Sequence, residues 1–288
     1  MQHVEGTFLS KDNLSLYYQC WSPTFSAKAM VGIVHGLGSH SGRFEQLVKT
    51  LVQRGYGVCA MDLRGHGRSP GQRGFIQQWG DFRNDFDCFW QLLQQQSGQR
   101  PCFAIGHSLG AIVILDYALH YPETVPYIVT LAPALKPIGI PAWRLQIGYL
   151  VSQIYPRFSL NTGIPKTAGM KDAIALSQQL QDPLRHTKGT ARLVTEFFKT
   201  IQWINEHLPE LKSSVLALHG TQDLVALPDS SKLLFEQIPV IDKEYRIYPN
   251  GYHDLHNDID ARPVLQDITN WLDRHINGEV EICKLYSP

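Results

Sequence analysis

The chain has 288 residues, 43% hydrophobic and 18% charged, and its 26 Lys and Arg balance its 26 Asp and Glu to a formal net charge of zero. That length accommodates one large α/β domain with an inserted subdomain and a well-filled core, while the neutral balance offers no basic footprint for nucleic acid. No apolar run is long enough to cross a bilayer, and the opening MQHVEGTFLSKD lacks the basic-then-apolar pattern of a secretory signal. The five cysteines (Cys20, Cys59, Cys88, Cys102, Cys283) are widely spaced, with no C-x-x-C, and read as reduced small hydrophobes of a cytoplasmic protein.

In chain order, Val4 to Phe8 and Leu14 to Cys20 flank the turn Ser10-Lys11-Asp12-Asn13 and predict an edge hairpin. Ala29 to Val34 is a β-branched apolar run, so a central strand; it ends in His35-Gly36-Leu37-Gly38. A helix follows with Phe44, Leu47, Val48 and Leu51 on one face. Gly57 to Met61 predicts a strand running into Asp62-Leu63-Arg64-Gly65-His66, and Phe82, Phe86, Phe89, Trp90 and Leu93 mark a helix from Asp81. Cys102 to Ile105 is a strand, Gly106-His107-Ser108-Leu109-Gly110 a sharp turn, and Ile112 to Leu115 the apolar start of a helix. Tyr127 to Leu131 is the next strand.

From Lys136 to Leu211 the alternation stops, with helical stripes (Trp143, Ile147, Leu150, Val151, Ile154; Val194, Phe197, Ile201, Ile204, Leu208) and no convincing strand. It resumes with strands Ser214 to Leu218 and Glu244 to Tyr248 and a final helix through Val264, Leu265, Ile268, Trp271 and Leu272. Alternation with right-handed crossovers implies a mostly parallel central sheet flanked by helices. The expected organisation is an α/β core of residues 1–135 and 212–288 with a helical cap, 136–211, over the carboxyl edge of the sheet. Core packing accounts for most of the cap stripes; some side chains are expected to line an acyl-chain tunnel. A membrane-facing surface is a third reading, disfavoured because the stripes are not basic, and it leaves room for a transient membrane contact through the cap.

The strand, G-x-S-x-G turn and helix form a nucleophile elbow, the signature of the α/β-hydrolase fold. A serine at so tight a turn has strained backbone angles, and glycines two residues either side avoid collision. The turn lifts Ser108 clear of the sheet and puts the Leu109 N–H at a helix N-terminus, where it can face an oxyanion; Leu37, after the first core strand, is the second donor. Ser108, Asp223 and His253 each follow a strand, so they project to one sheet edge, in the α/β-hydrolase order Ser, Asp, His. A serine hydroxyl needs an adjacent base, a histidine can take and return its proton, and a carboxylate fixes the histidine tautomer. Asp229 and Asp254 are rival acids. His253, Asp254, His256 and Asp258 resemble a metal cluster without an evident helix or third ligand; no metal or cofactor is expected. His35 and His66 are expected to hold loops, and Asp62 and Arg64 to be structural.

With these residues in place the chain resembles the monoacylglycerol lipase and lysophospholipase family of serine hydrolases. The resemblance spans most of the chain and is densest in HGLGSHSGRF from His35, DLRGHGRSPG from Asp62, GHSLG from Gly106, QDPL from Gln181 and YHDLHN from Tyr252. It implies the same triad and oxyanion donors, a mobile cap over a long apolar acyl pocket, and a polar glycerol site at Ser39, Arg43 and His256, where the family's Glu is replaced by Ser39. It further implies a cofactor-free esterase acting on a small-molecule lipid ester, monoacylglycerol first, in the cytoplasm or peripheral at a membrane. A lysophospholipase or broad carboxylesterase stands as the alternative, and a non-catalytic ligand-binding protein as the rival of a different kind. Oligomeric state is not legible. Activity is expected to fall as His253 is protonated, with a midpoint near about 6.5.

Overall fold

A computed structural model of the protein describes residues 1–136, 142–165, 167–278 and 284–286. Strands β1 (Gln2–Leu9) and β2 (Ser15–Ser22) form the expected antiparallel hairpin. The core then alternates β3 (Met30–Val34), α1 (Glu45–Gln53), β4 (Gly57–Met61), α2 (Gly80–Ser97), β5 (Cys102–His107), α3 (Leu109–His120) and β6 (Tyr127–Leu131). After the insert come β9 (Ser214–Gly220), α7 (Asp229–Gln237), β10 (Lys243–Tyr248) and α8 (Ala261–Asn277). The insert holds α4 (Ala142–Ile154), β7 (Ser159–Asn161), α5 (Ala173–Gln181), β8 (Lys188–Thr190) and α6 (Ala191–His207).

The sheet order is β1-β2-β4-β3-β5-β6-β9-β10-β11, where β11 is Lys284–Tyr286. From β4 to β11 every neighbouring pair is parallel. Alternation along each strand feeds two cores. Val31, Ile33, Phe103, Ile105, Leu216 and Leu218 face α1 and α8, whereas Met30, Val34, Cys102, Ala104, Val215 and Ala217 face α2, α3 and α7. The second core continues into the insert through Leu193, Ile201, Ile204 and Leu208, with Phe197 partly buried against it, so most of the α6 stripe packs as expected while Val194 is exposed.

Three expectations change. Residues 159–161 and 188–190 pair as a short antiparallel ribbon in the insert, where no strand was predicted; three-residue strands carry too few side chains to leave a periodic signature. The α4 stripe does not pack inward: Trp143, Ile147, Leu150 and Ile154 are 53% to 60% exposed. The helix turns a polar position to α6 instead, with buried Ser152 accepting a hydrogen bond from Thr195 Oγ1 at 2.9 Å. Finally, Cys20 and Cys59 are not reduced. They are direct cross-strand partners of β2 and β4 and form a disulfide. Sequence spacing hid this, because the register that opposes them comes from the sheet, not from a short motif. The cytoplasmic expectation loses the support it drew from reduced thiols. Cys88 and Cys102 are free; Cys283 lies outside the described residues. No helix among the described residues is long and apolar enough to cross a membrane.

Candidate active site

Ser108 sits between β5 and α3 with φ +52° and ψ −116°, a left-handed conformation that costs a non-glycine residue about 1–3 kcal/mol. Close packing around the turn imposes it. A Cβ on Gly106 would stand 2.5 Å from Ala111 Cα, and one on Gly110 would overlap the Val34 carbonyl of the neighbouring strand. The Ser108 N–H donates to Leu131 O at 2.9 Å, tying the turn to β6. Neither the Leu37 N–H nor the Leu109 N–H finds an acceptor among the described residues. Two backbone donors without partners beside a serine are what a developing oxyanion requires.

Asp223 and His253 meet. His253 Nδ1 lies 2.7 Å from Asp223 Oδ2, and both residues are buried. The other carboxylate oxygen, Oδ1, accepts from the Val225 and Ala226 N–H groups at 2.7 and 2.9 Å. Burial alone would raise the Asp223 pKa, but the His253 charge and the bonds from His219 and His253 outweigh it and hold the carboxyl well below the usual carboxylate range. For His253 the balance is reciprocal. Burial disfavours the imidazolium, the adjacent Asp223 charge favours it more, and the pKa is raised above its ordinary value of 6.5. This corrects the expected midpoint upward. The rival acids are placed elsewhere: Asp229 is exposed and pairs with Lys136 at 3.1 Å, and Asp254 lies 3.4 Å from His107 Nε2. Asp258 Oδ1 accepts from the Lys171 and Asp172 N–H groups, so the suspected metal cluster faces separate partners.

Two histidines that sequence reasoning passed over hold this pair. His219 Nε2 stands 3.1 Å from Asp223 Oδ2 and 2.9 Å from Ala226 O, both acceptors, so that nitrogen carries the proton and Nδ1 accepts from Ser231 Oγ at 2.8 Å. His107, next to Ser108, places Nε2 3.2 Å from the His253 carbonyl. Burial pushes its pKa down to about 4, so at neutral pH it is an uncharged donor. The remaining loop residues behave as expected. His35 donates from Nδ1 to Gly36 O at 2.7 Å and accepts the Leu63 N–H at 3.0 Å, its pKa lowered by burial to about 3. His66 bonds Arg64 O at 2.9 Å. Arg64 forks onto Asp85 with two bonds of 2.6 Å, and Asp62 accepts the Ser41 and Arg68 N–H groups.

The chain matches the family model Hydrolase_4, described as serine aminopeptidase S33, over residues 26–260. It is 30% identical to a crystallised monoacylglycerol lipase of Paleococcus ferrophilus, with a TM-score of 0.83 over 90% of this chain and 99% of that one. The chain belongs to the monoacylglycerol lipase family of α/β-hydrolases. Another member of similar length is the monoacylglycerol lipase of Mycolicibacterium smegmatis, 24% identical over 94% of this chain and 98% of that protein. An uncharacterized abhydrolase domain-containing protein of Dictyostelium discoideum is 28% identical over 98% of this chain, which spans only 30% of its length. As a monoacylglycerol lipase relative, the chain is a hydrolase of carboxylic esters.

Ser108, His253, Leu37, Ser39, Arg43 and His256 all line one cavity of about 220 Å³. It is smaller than the range of about 300–1,000 Å³ usual for sites that enclose a drug-sized ligand, and its wall is mixed. Thr162, Ile164, Pro165 and Leu180 come from the insert beside Gln179, Asp182 and Arg185. Among the described residues this cavity has a mixed lining rather than that of the long apolar acyl pocket implied by the resemblance. His256 stacks on Phe44 at 4.4 Å, and its Nδ1 is buried with no hydrogen-bond partner among the described residues. Burial holds its pKa well below the histidine value, so it faces the cavity as a neutral polar group.

Proposed function

We propose that this monoacylglycerol lipase relative hydrolyses monoacylglycerols through an acyl-enzyme on Ser108. Ser108 Oγ attacks the ester carbonyl while His253 Nε2 takes its proton. Asp223 keeps the His253 proton on Nδ1 and stabilises the imidazolium. The Leu37 and Leu109 N–H groups receive the oxyanion. The imidazolium then protonates the departing glycerol oxygen, and a water activated by His253 frees the fatty acid. The observation that carries this reading is the 2.7 Å bond from His253 Nδ1 to Asp223 in a loop that shares the Ser108 cavity. Ser39, Arg43 and His256 bind the alcohol. The guanidinium groups at this cavity argue against a cationic peptide N-terminus as substrate.

Residues 136–211 act as a cap that moves to admit the acyl chain, a reading supported by the small volume of the cavity. The exposed apolar face of α4, continued by Tyr155 and Phe158, rests on a lipid surface, which delivers the substrate without the chain crossing the bilayer. The test is labelling with a fluorophosphonate and release of oleate from 1-oleoylglycerol. Both are expected for the native protein, and both are lost in Ser108→Ala. A protein that binds 1-oleoylglycerol without releasing oleate would support the ligand-binding rival instead.

A further inference from the structure

The Asp223 carboxylate serves two imidazoles. His253 Nδ1 approaches Oδ2 at 2.7 Å from the loop after β10, and His219 Nε2 approaches the same oxygen at 3.1 Å from the end of β9. Among the described residues His219 alone shares Oδ2 with His253. His219 is fully buried, and Asp223 nearly so. A ring nitrogen placed between two acceptors, Asp223 Oδ2 and Ala226 O at 2.9 Å, carries the proton. Nδ1 accepts from Ser231 Oγ at 2.8 Å, so α7 holds the ring in that tautomer. The carboxylate does not depend on His219 for its place, because the Val225 and Ala226 N–H groups hold Oδ1. None of the steps assigned to Ser108, His253 and the oxyanion donors uses His219.

An N–H that points at a carboxylate oxygen draws on its negative charge, and in a buried site that effect is weakly screened. The second donor therefore weakens the attraction of Asp223 for a protonated His253. Other groups also face His253. Asp254 on its own loop favours the imidazolium, Arg185 of the insert opposes it, and His107 (ring centroid 4.7 Å away) and His256 are uncharged neighbours at neutral pH. We propose that His219 is a positioning residue that acts on His253 through Asp223: by occupying the same carboxylate oxygen it limits how tightly the imidazolium is held, and so keeps the base free at neutral pH. With Asp223 engaged by His253 alone, the proton would stay on His253 to higher pH, and less of the protein could accept the Ser108 proton. The inference deepens the hydrolase reading and rests on it for the role of the base. The coupling between the two histidines can be measured without turnover.

NMR titration of the full chain, labelled with 13C and 15N in its histidines, reads that coupling directly. In His219→Phe, which removes the donor, the His253 midpoint is expected to rise by about half a pH unit or more. In His219→Gln, whose amide can reach both Asp223 and the Ala226 carbonyl, it should return to within about 0.2 unit of the native value. Circular dichroism checks the folding of both. The acid limb of fluorophosphonate labelling at Ser108 should move with the midpoint, so that the loss of rate in His219→Phe is largest on the acid side. A merely structural loss would lower the rate at every pH and leave the limb in place. The native chain gives a readout that needs no variant to fold: 15N spectra at pH 8 should show His219 protonated on Nε2 and not on Nδ1. The opposite tautomer overturns the inference, as does an unchanged or lowered His253 midpoint in a folded His219→Phe. A chain that shows the shift but is not labelled and releases no oleate fails only the hydrolase reading. An active chain without the shift fails only the role of His219.

Discussion

His253 and Asp223 share a hydrogen bond of 2.7 Å in a site where the Asp223 charge outweighs the burial that would otherwise keep His253 neutral. In the proposed mechanism the pH at which the base becomes available is thus set by its partner. The acid limb of kcat/KM should have its midpoint above 6.5. In Asp223→Asn the main charge favouring the imidazolium is gone and burial outweighs the Asp254 charge that remains, so the midpoint should fall to 6.5 or lower while kcat drops by about 10³–10⁴-fold. Initial rates from pH 4.5 to 9 on both proteins check this; superimposable acid limbs would contradict the coupling.

The same pair leaves a signature in stability. The folded pKa of Asp223 is depressed, so its contribution is present above the unfolded value near 3.8 and is lost as pH falls through the folded value. The folded pKa of His253 is raised, so its contribution is present below 6.5 and is lost as pH rises through the folded value. Both act together between about pH 4 and 6.5. The Tm gap between the native chain and Asp223→Asn should be widest in that window and should close on the acid side.

Gly110→Ala places a methyl group where the Val34 carbonyl already lies. Overpacking of this kind costs about 1–3 kcal/mol, and the displaced turn carries Ser108 with it. Urea unfolding should show a lower midpoint, and fluorophosphonate labelling of the folded fraction should slow.

The Cys20–Cys59 disulfide closes a separation of 39 residues, for which chain entropy gives about 3–4 kcal/mol. The cross-link acts by restricting the unfolded chain, where the β2–β4 ladder is absent, so Cys20→Ala with Cys59→Ala should lose up to about that much, lowering Tm by several degrees. Peptide mapping without reductant should recover the linked pair; two free thiols at these positions would remove the bond from the account.

Replacing Ile147 and Leu150 with Glu should abolish co-sedimentation with phosphatidylcholine vesicles. Both side chains are more than half exposed, so stability should change by no more than about 0.5 kcal/mol for each. Vesicle binding equal to that of the native chain would remove the lipid-facing role of α4.

Much of this arrangement is legible in the sequence because it follows from local rules. The G-x-S-x-G turn is set by sterics around Ser108; Asp223 follows an apolar run that reads as a buried strand, and His253 follows the mixed strand Glu244 to Tyr248. The missing parts depend on what meets what across the fold. The α4 stripe has the same 3.6-residue period whether it faces a core or solvent, and only its packing on α6 through Ser152 decides. Cys20 and Cys59 become neighbours through sheet register. His219 reads as a strand end and His107 as part of the turn until their ring nitrogens are seen on Asp223 and on the His253 carbonyl.

Ser108, Asp223, His253 and the loop bearing Leu37 all depart from strands of the sheet, whereas Gln179, Asp182 and Arg185 belong to the segment between β6 and β9. In the proposed mechanism the bond-breaking groups and the insert-side wall of the cavity are therefore written in separate stretches of the gene. Substitutions or grafts within residues 142–207 can retune which esters are admitted while the bond-breaking apparatus stays intact. A descendant could acquire a new diet by remodelling its roof alone.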